Sequence, residues 1–336
     1  MNKLKLFGSN LEKELVVIAE LGINHAGSIR WIMEMLPKLK DAGASAVKLQ
    51  LFTPDLYVSR SNQVRHKFLQ SVFLSKTDFV KIVNFGESIN LPIFATPLSH
   101  DWVEFVAETC GVVKVASGDF TFLPTIRSAL KSSATVIAST GVATNEEINT
   151  FLELTKIERK NAKESVALLH CVAAYPPPLN QANIRAIPFL KNLTGFTIGF
   201  SSHFLDDAPI YAALALGSRI FEIHVTDNRE RRDIRDHILS RTPQELNQIV
   251  SNLRSLDESM VDSSKTIQLC ELENIAPLKK GVIYSKDLPA GHVLTHSDVT
   301  YARPFNPSIP NIESIVGKKL SRNVSAFCSA SFADIE

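Results

Sequence analysis

Thr197-Ile-Gly-Phe-Ser-Ser-His203 and, after a helical connector, Ile220-Phe-Glu-Ile-His-Val-Thr226 are two short apolar runs, each carrying a histidine at or near its end. Runs of this length, β-branched and bounded by polar residues, read as buried strands. As neighbours in one parallel sheet they bring His203 and His224 to the same edge, and the period of two puts Glu222 on the face of His224. The pattern recurs upstream at Leu15 to Leu21, Ala46 to Phe52, Pro92 to Thr96, Val112 to Ser117, Thr135 to Thr140 and Val166 to Cys171, with amphipathic segments between. Eight strands with eight crossovers in roughly 250 residues predict an α/β fold of the (β/α)8 TIM-barrel type. A doubly wound sheet is the alternative, but its first turn would need GxGxxG where the chain has Ala19-Glu-Leu-Gly-Ile-Asn-His-Ala-Gly27.

Capping signals punctuate the crossovers. Ser28 opens a helix to about Asp41, stopped at Gly43; Thr77 opens Asp78 to Ile89; Ser99 precedes Asp101 to Glu108. Thr144-Asn-Glu-Glu147 and Thr242-Pro-Gln-Glu245 read as capping boxes, the second with proline at the first helical position. The barrel is thus expected over residues 1–260. A polar linker (261–278) and a small β-rich domain (279–336) follow, with strand-like pieces at Gly281 to Tyr284, Gly291 to Leu294 and Val299 to Tyr301.

The 336-residue chain is 45% hydrophobic with a net charge of +1, so no bulk field draws it to nucleic acid or an anionic membrane. None of its four cysteines forms a CxxC pair, and no apolar run has the length of a membrane span. The expectation is a soluble protein of the reducing cytoplasm.

Catalytic groups of such barrels sit at the C-terminal strand ends and in the loops beyond them. Read in order, those positions hold Glu20, Asn24 and His25; Lys48 and Gln50; Thr96; Lys114 and Ser117; Ser139; His170 and Tyr175; Ser201, His203, Glu222 and His224. Lysines inside apolar strands need anionic partners. With the hydroxyls of Thr96, Ser117 and Ser139 nearby, a phosphate or carboxylate ligand fits Lys48 and Lys114; internal ion pairs, such as Lys48 with Glu20, are the competing reading. Two imidazoles on adjacent strand ends suit a catalytic divalent metal with open positions, its identity left open between zinc, iron and manganese. In the loop after the eighth strand, His237 would close over the site, and Asp236 and Ser240 either bind a polyol or belong to a solvated charged loop.

The segments Ile18 to Gly27, Val47-Lys-Leu-Gln50, Phe94-Ala-Thr-Pro97, Val113 to Gly118, Ala138-Ser-Thr-Gly141, Leu168-Leu-His-Cys171 with Tyr175-Pro176, Gly199 to His203 and Phe221-Glu-Ile-His224 together resemble the sialic acid (N-acetylneuraminate) synthases and their relatives for other nonulosonic acids. The C-terminal piece, with Lys286 to Gly291, Arg303-Pro304 and Ile315-Val-Gly-Lys318, resembles the antifreeze-like (SAF) domain. The resemblance implies condensation of phosphoenolpyruvate with an N-acetylmannosamine-type sugar aldehyde, releasing phosphate. It implies Lys48, Thr96, Lys114, Ser117, Ser139 and Ser201 as phosphoenolpyruvate-binding positions, and His203 and His224 as ligands of a divalent metal, usually Mn²⁺. It implies Glu20, Tyr175, Asp236 and Arg303 as sugar-side positions and a domain-swapped homodimer whose SAF domain supplies Arg303 in trans; by its own chemistry the site offers Glu20 or Glu222 as the proton-handling group.

Several positions differ from the resemblance: Ala173 for a polar residue, Ser202 for the aspartate before the first metal histidine, and Ile234-Arg235 for Gly-Pro. They leave the phosphoenolpyruvate set intact and the sugar open. Two alternatives stand beside the synthase. One is another phosphoenolpyruvate–aldose condensing barrel taking a sugar phosphate, for which Arg229, Arg231 and Arg232 would hold the second phosphate; the other is a non-catalytic SAF-containing binding protein.

Overall fold

The computed structural model describes residues 4–231, 234–260 and 264–336; Arg232 and the start of the expected linker lie outside the described residues. The chain divides into two compact units, Met1–Val261 and Asp262–Glu336.

The first unit opens with a two-residue hairpin, β1 (Lys5–Leu6) and β2 (Ser9–Asn10). Eight strands follow: β3 (Val16–Gly22), β4 (Ala46–Leu51), β5 (Ile93–Pro97), β6 (Val112–Val115), β7 (Thr135–Ser139), β8 (Val166–His170), β9 (Thr197–Ser202) and β10 (Ile220–His224). They close into a barrel in sequence order, β10 pairing back onto β3, with every ladder parallel. The expected TIM-type fold is present, each strand within a residue or two of its predicted bounds.

Alternation along the strands makes two faces of different chemistry. One set of residues, Val17, Ala19, Val47, Leu49, Ala95, Val113 and Val136 among them, forms the large core shared with the helices. The other set points inward and changes character along the axis. At the N-terminal end it is apolar: Val16, Ile18, Ala46, Phe94, Val112, Ile137, Leu169 and Ile220 pack with Leu4, Leu6 and Leu11 of the hairpin region, which plug that end. One step further along the same faces come Glu20, Lys48, Thr96, Lys114, Ser139, Ser201 and Glu222, all buried. Gly199 allows the closure, since a Cβ there would meet the Ile220 carbonyl oxygen at 2.4 Å and the Leu169 side chain at 2.5 Å.

The capping boxes at Thr144 and Thr242 form with both halves hydrogen-bonded, and Ser28 caps helix Ile29–Asp41. One start is corrected: helix Lys76–Ser88 is capped by Ser75, whose hydroxyl accepts from the Asp78 amide at 3.1 Å, so the helix begins before Thr77. Helices Pro54–Tyr57, Gln63–Val72, Leu123–Lys131, Ala186–Thr194 and, inside the expected linker, Ile275–Leu278 carry no start signal named above; the first two pack on a satellite cluster with Ile23, Phe52, Leu69, Val72 and Ile234.

In the second unit β11 (Gly281–Tyr284) and β12 (Val299–Ala302) form an antiparallel pair around a core of Val282, Tyr284, Leu294, Ile309, Ile315 and Leu320. Gly291 to Leu294 is not a strand. It makes only a single bridge, Val293 with Lys319.

Candidate active site

A cavity of about 560 Å³ opens at the C-terminal end of the barrel strands. Lys48 and Lys114 lie at its floor with Thr96, Ser139, Ser201 and Glu222, and Ser117, Tyr175 and Asp236 contribute higher up. Glu20, Lys48, Thr96, Lys114, Ser117, Ser139, Tyr175, Ser201, His203, Glu222, His224 and Asp236 therefore face one space.

Its floor is a buried charge network. Lys48 Nζ donates to Thr96 Oγ1 at 2.8 Å and sits 3.1 Å from Glu20 Oε2 and 3.3 Å from Glu222 Oε2. Lys114 Nζ donates to Ser139 Oγ at 2.6 Å and to the Val115 carbonyl at 3.2 Å, with Glu222 Oε2 at 3.9 Å. Gln50 Nε2 donates to Glu20 Oε1, and Ser201 Oγ to Glu222 Oε1, both at 2.9 Å. The internal pair read as the competing possibility, Lys48 with Glu20, is thus real, and Glu222 faces both lysines. Two cations and two anions leave the floor nearly neutral.

The protonation chemistry is uneven across it. Burial would raise Glu222, but Lys114, Lys48 and the Ser201 hydroxyl hold it at about 2. Burial, with the charge of Glu222, pushes Glu20 above the ordinary carboxylate range despite Lys48. Burial opposes the charge on Lys48 too, yet the two glutamates hold its pKa above the usual lysine value. Lys114, with a more distant carboxylate, is lowered by burial.

The two histidines stand together, ring centroids 5.3 Å apart. His203 Nδ1 donates to the Val172 carbonyl at 2.9 Å, which leaves the lone pair on Nε2. Burial, reinforced by His224, holds His203 down to about 3, so its imidazole is neutral and able to ligate. His224 Nδ1 is buried without a hydrogen-bond partner, its nearest carboxylate being Asp236 Oδ2 at 3.8 Å. An orphaned buried nitrogen beside a neutral imidazole of fixed tautomer fits a divalent ion. Among the described residues no group of three or more His, Cys, Asp or Glu is placed to hold a metal ion, which leaves this imidazole pair as the candidate donors. Tyr175 packs on His203 with centroids 4.2 Å apart, and Arg235 donates to the Tyr175 carbonyl at 3.0 and 2.7 Å.

Other expected positions go elsewhere. His237 is buried against Thr226 Oγ1 at 2.7 Å, and Ser240 serves Asn24 and the Asp236 carbonyl; neither lines the cavity. His170 donates from Nε2 to the Ala182 carbonyl and lines a neighbouring groove with Ala173. Ser202 faces the helix side of the barrel, since Ser201 takes the inward position, so its difference from aspartate does not alter the cavity floor. Arg229 and Arg231 pair with Glu245 at 2.9 Å and Asp227 at 3.6 Å. Arg303 lies in the second unit, its Nε donating to the Leu278 carbonyl at 2.6 Å. Residues missed from sequence are Tyr57, Asn62, Arg65 and Phe68, which the unanticipated helices bring to the cavity wall. The Asn62 cap, accepting from the Arg65 amide at 3.2 Å, was the available signal.

The NeuB family model matches residues 35–265, more than half of the chain, and the SAF domain model matches residues 279–336. The chain belongs to the NeuB family. As a NeuB-family protein with a C-terminal SAF domain, it is an enzyme, a carbon–carbon bond-forming synthase. It is 28% identical over 327 residues to the N,N'-diacetyllegionaminic acid synthase of Campylobacter jejuni, covering 93% of this chain and 97% of that protein. It is 26% identical over 330 residues to a pseudaminic acid synthase of the same species, covering 94% and 95%. The crystal structure of N-acetylneuraminic acid synthetase from Leptospira borgpetersenii in complex with citrate superposes with a TM-score of 0.73 at 29% identity, covering 78% of this chain and 90% of that one. These relatives act in nonulosonic acid synthesis, and their names differ in the acid made.

Proposed function

We propose that this NeuB-family enzyme condenses phosphoenolpyruvate with the open-chain aldehyde of an N-acetylmannosamine-type sugar, giving a nonulosonic acid and phosphate. The observation that carries this reading is the convergence of Lys48 and Lys114, with the Thr96, Ser139 and Ser201 hydroxyls, in one cavity with two imidazoles. Phosphoenolpyruvate presents a phosphate and a carboxylate, and these donors match both. Because Glu20 and Glu222 already neutralise the two lysines, a polyanionic substrate brings negative charge that calls for a further cation.

His203 and His224 would hold that cation, a divalent ion and in our reading Mn²⁺. When bound it supplies a Lewis acid for the aldehyde oxygen and an acidified water. The chain's own groups do the rest. The lysines and hydroxyls fix phosphoenolpyruvate so that its C3 faces the aldehyde carbon. C3 forms the new carbon–carbon bond, the aldehyde oxygen takes a proton, and water adds at C2. The C2–O bond then breaks, phosphate leaves, and the keto group forms. Glu20, in register with His224 and beside Lys48, would take the proton of that water. Tyr175 and Asp236 flank the imidazoles on the sugar side. We propose further that the enzyme works in the cytoplasm as a domain-swapped homodimer in which exposed Arg303 reaches the sugar bound by the partner subunit, as the family resemblance implies.

A sugar-phosphate acceptor is less well supported, since Arg229 and Arg231 are engaged by Glu245 and Asp227. The test offers the full chain phosphoenolpyruvate, Mn²⁺ and a panel of hexosamines with and without 6-phosphate, and follows phosphate. Release that depends on an N-acetylated mannosamine-type sugar supports the reading; release independent of any acceptor overturns it.

A further inference from the structure

The metal reading leaves unexplained what holds two imidazoles on separate strand ends at a fixed spacing. His203 lies just beyond β9, where the ladder to β10 has ended at Ser202–Ile223. One residue joins the two ends. Arg241 donates its backbone amide to the His224 carbonyl at 2.7 Å and accepts from the Thr226 amide at 2.9 Å, forming a short parallel bridge beside Val225. Its guanidinium grips the chain that follows His203: Nη2 donates to the carbonyls of Phe204 at 3.1 Å and Leu205 at 2.9 Å, and Nη2 and Nε donate to Asp207 Oδ1 at 2.7 and 2.9 Å. Nη1 donates to the Leu239 carbonyl at 2.7 Å. Arg241 is 3% exposed, so every one of these donors is spent inside the protein.

We propose that Arg241 is a positioning residue that sets the spacing of His203 and His224, with Asp207 as the anchor of its guanidinium. The proposal rests on the reading of the two histidines as metal ligands. With the Asp207 side chain 37% exposed, the pair itself adds little net stability. What the planar fork contributes is geometry, because its donors are rigid and reach two chain segments at once. A two-imidazole site tolerates misplacement of only about half an ångström in its ligands, so loosening this clamp should be felt first as metal affinity.

The test uses full-length, metal-stripped protein titrated with Mn²⁺ alone and read by electron paramagnetic resonance, with the apo melting temperature recorded in parallel. Asp207→Ala frees the guanidinium, and Arg241→Lys keeps the charge but loses the fork. Asp257→Ala breaks a comparable pair, Arg219 with Asp257, at the opposite end of β10. The expected result is Mn²⁺ binding weakened about 10- to 100-fold in Asp207→Ala and Arg241→Lys, and unchanged in Asp257→Ala whatever each melting temperature does. Should Asp207→Ala fail to fold, Arg241→Lys alone decides. Wild-type affinity in the clamp variants, or equal weakening in the Asp257→Ala control, overturns the positioning role while the metal reading survives. No Mn²⁺ binding by the wild type overturns both.

Discussion

Replacing Lys48 with methionine, which keeps the aliphatic volume and removes the charge, should lower the stability of the free enzyme sharply. Nζ lies 3.1 Å from Glu20 Oε2 and 3.3 Å from Glu222 Oε2, and all three side chains are at most 5% exposed. At an effective dielectric constant near 20, each contact attracts by about 5 kcal/mol before desolvation. Desolvation cancels much of that, and removing one member of a buried pair costs about 3–5 kcal/mol net. Glu20 would keep only the Gln50 amide, and Glu222 the Ser201 hydroxyl and Lys114 at 3.9 Å. For a unit of this size, each kcal/mol moves the midpoint by roughly 2–4 °C, so the barrel transition should fall by roughly 6–20 °C. The mechanism makes a second demand. If the loss comes from carboxylates left unpaired, adding Glu20→Gln to Lys48→Met should restore about 0.5–3 kcal/mol, a coupling visible in a double-mutant cycle. Differential scanning calorimetry of the wild type, both single variants and the double variant gives all four corners. Strictly additive losses, or a Lys48→Met midpoint within about 2 °C of wild type, would refute the charge network as described.

Three further outcomes are expected. His203→Ala removes a side chain that lines the cavity and should abolish Mn²⁺-dependent turnover while circular dichroism stays that of the folded barrel; full activity in that variant would sink the ligand assignment. Mixing Arg303→Ala with Lys114→Ala should recover activity in heterodimers if Arg303 acts across the subunit boundary; confirmed subunit exchange without recovery would refute it. In the second unit, Asp298 is held below the usual carboxylate range: burial would raise it, but Lys286 at 2.8 Å, His292 at 2.9 Å and Thr295 prevail. A depressed carboxylate contributes stability above its unfolded pKa of about 3.9 and loses it as pH falls further. The transition of that unit should therefore soften below about pH 4, and Asp298→Asn should flatten that dependence.

What could be read from sequence was whatever local chemistry determines. The capping boxes at Thr144 and Thr242 act within four residues, and the inward face of each strand is visible from alternation alone. That is why alternation places Glu20, Lys48, Thr96, Lys114, Ser139, Ser201 and Glu222 at one end of a barrel from the sequence alone. Ser75 and Thr77 show the limit of such signals, since both are cap-forming residues near one helix start and only the contact to the Asp78 amide selects Ser75. Helix Gln63–Val72 was missed for a tertiary reason: it buries His66, Leu69 and Val72 against a small satellite cluster, so its apolar stripe is narrow. The hairpin at the barrel floor has strands of two residues, too short for any periodicity. The sharing of Glu222 by two lysines, and the Arg241 clamp, join elements far apart in the chain and have no local signature.

We propose that the cavity joins the three carbons of phosphoenolpyruvate to a sugar. The most direct measurement incubates the enzyme with [3-¹³C]phosphoenolpyruvate, Mn²⁺ and N-acetylated mannosamine-type sugars, and follows the label by mass spectrometry alongside phosphate. The label is expected in a nonulosonic acid whose mass is that of the acceptor plus the three-carbon keto acid, formed one-to-one with phosphate. Label recovered only as pyruvate, with phosphate released at the same rate whether or not a sugar is present, would contradict it.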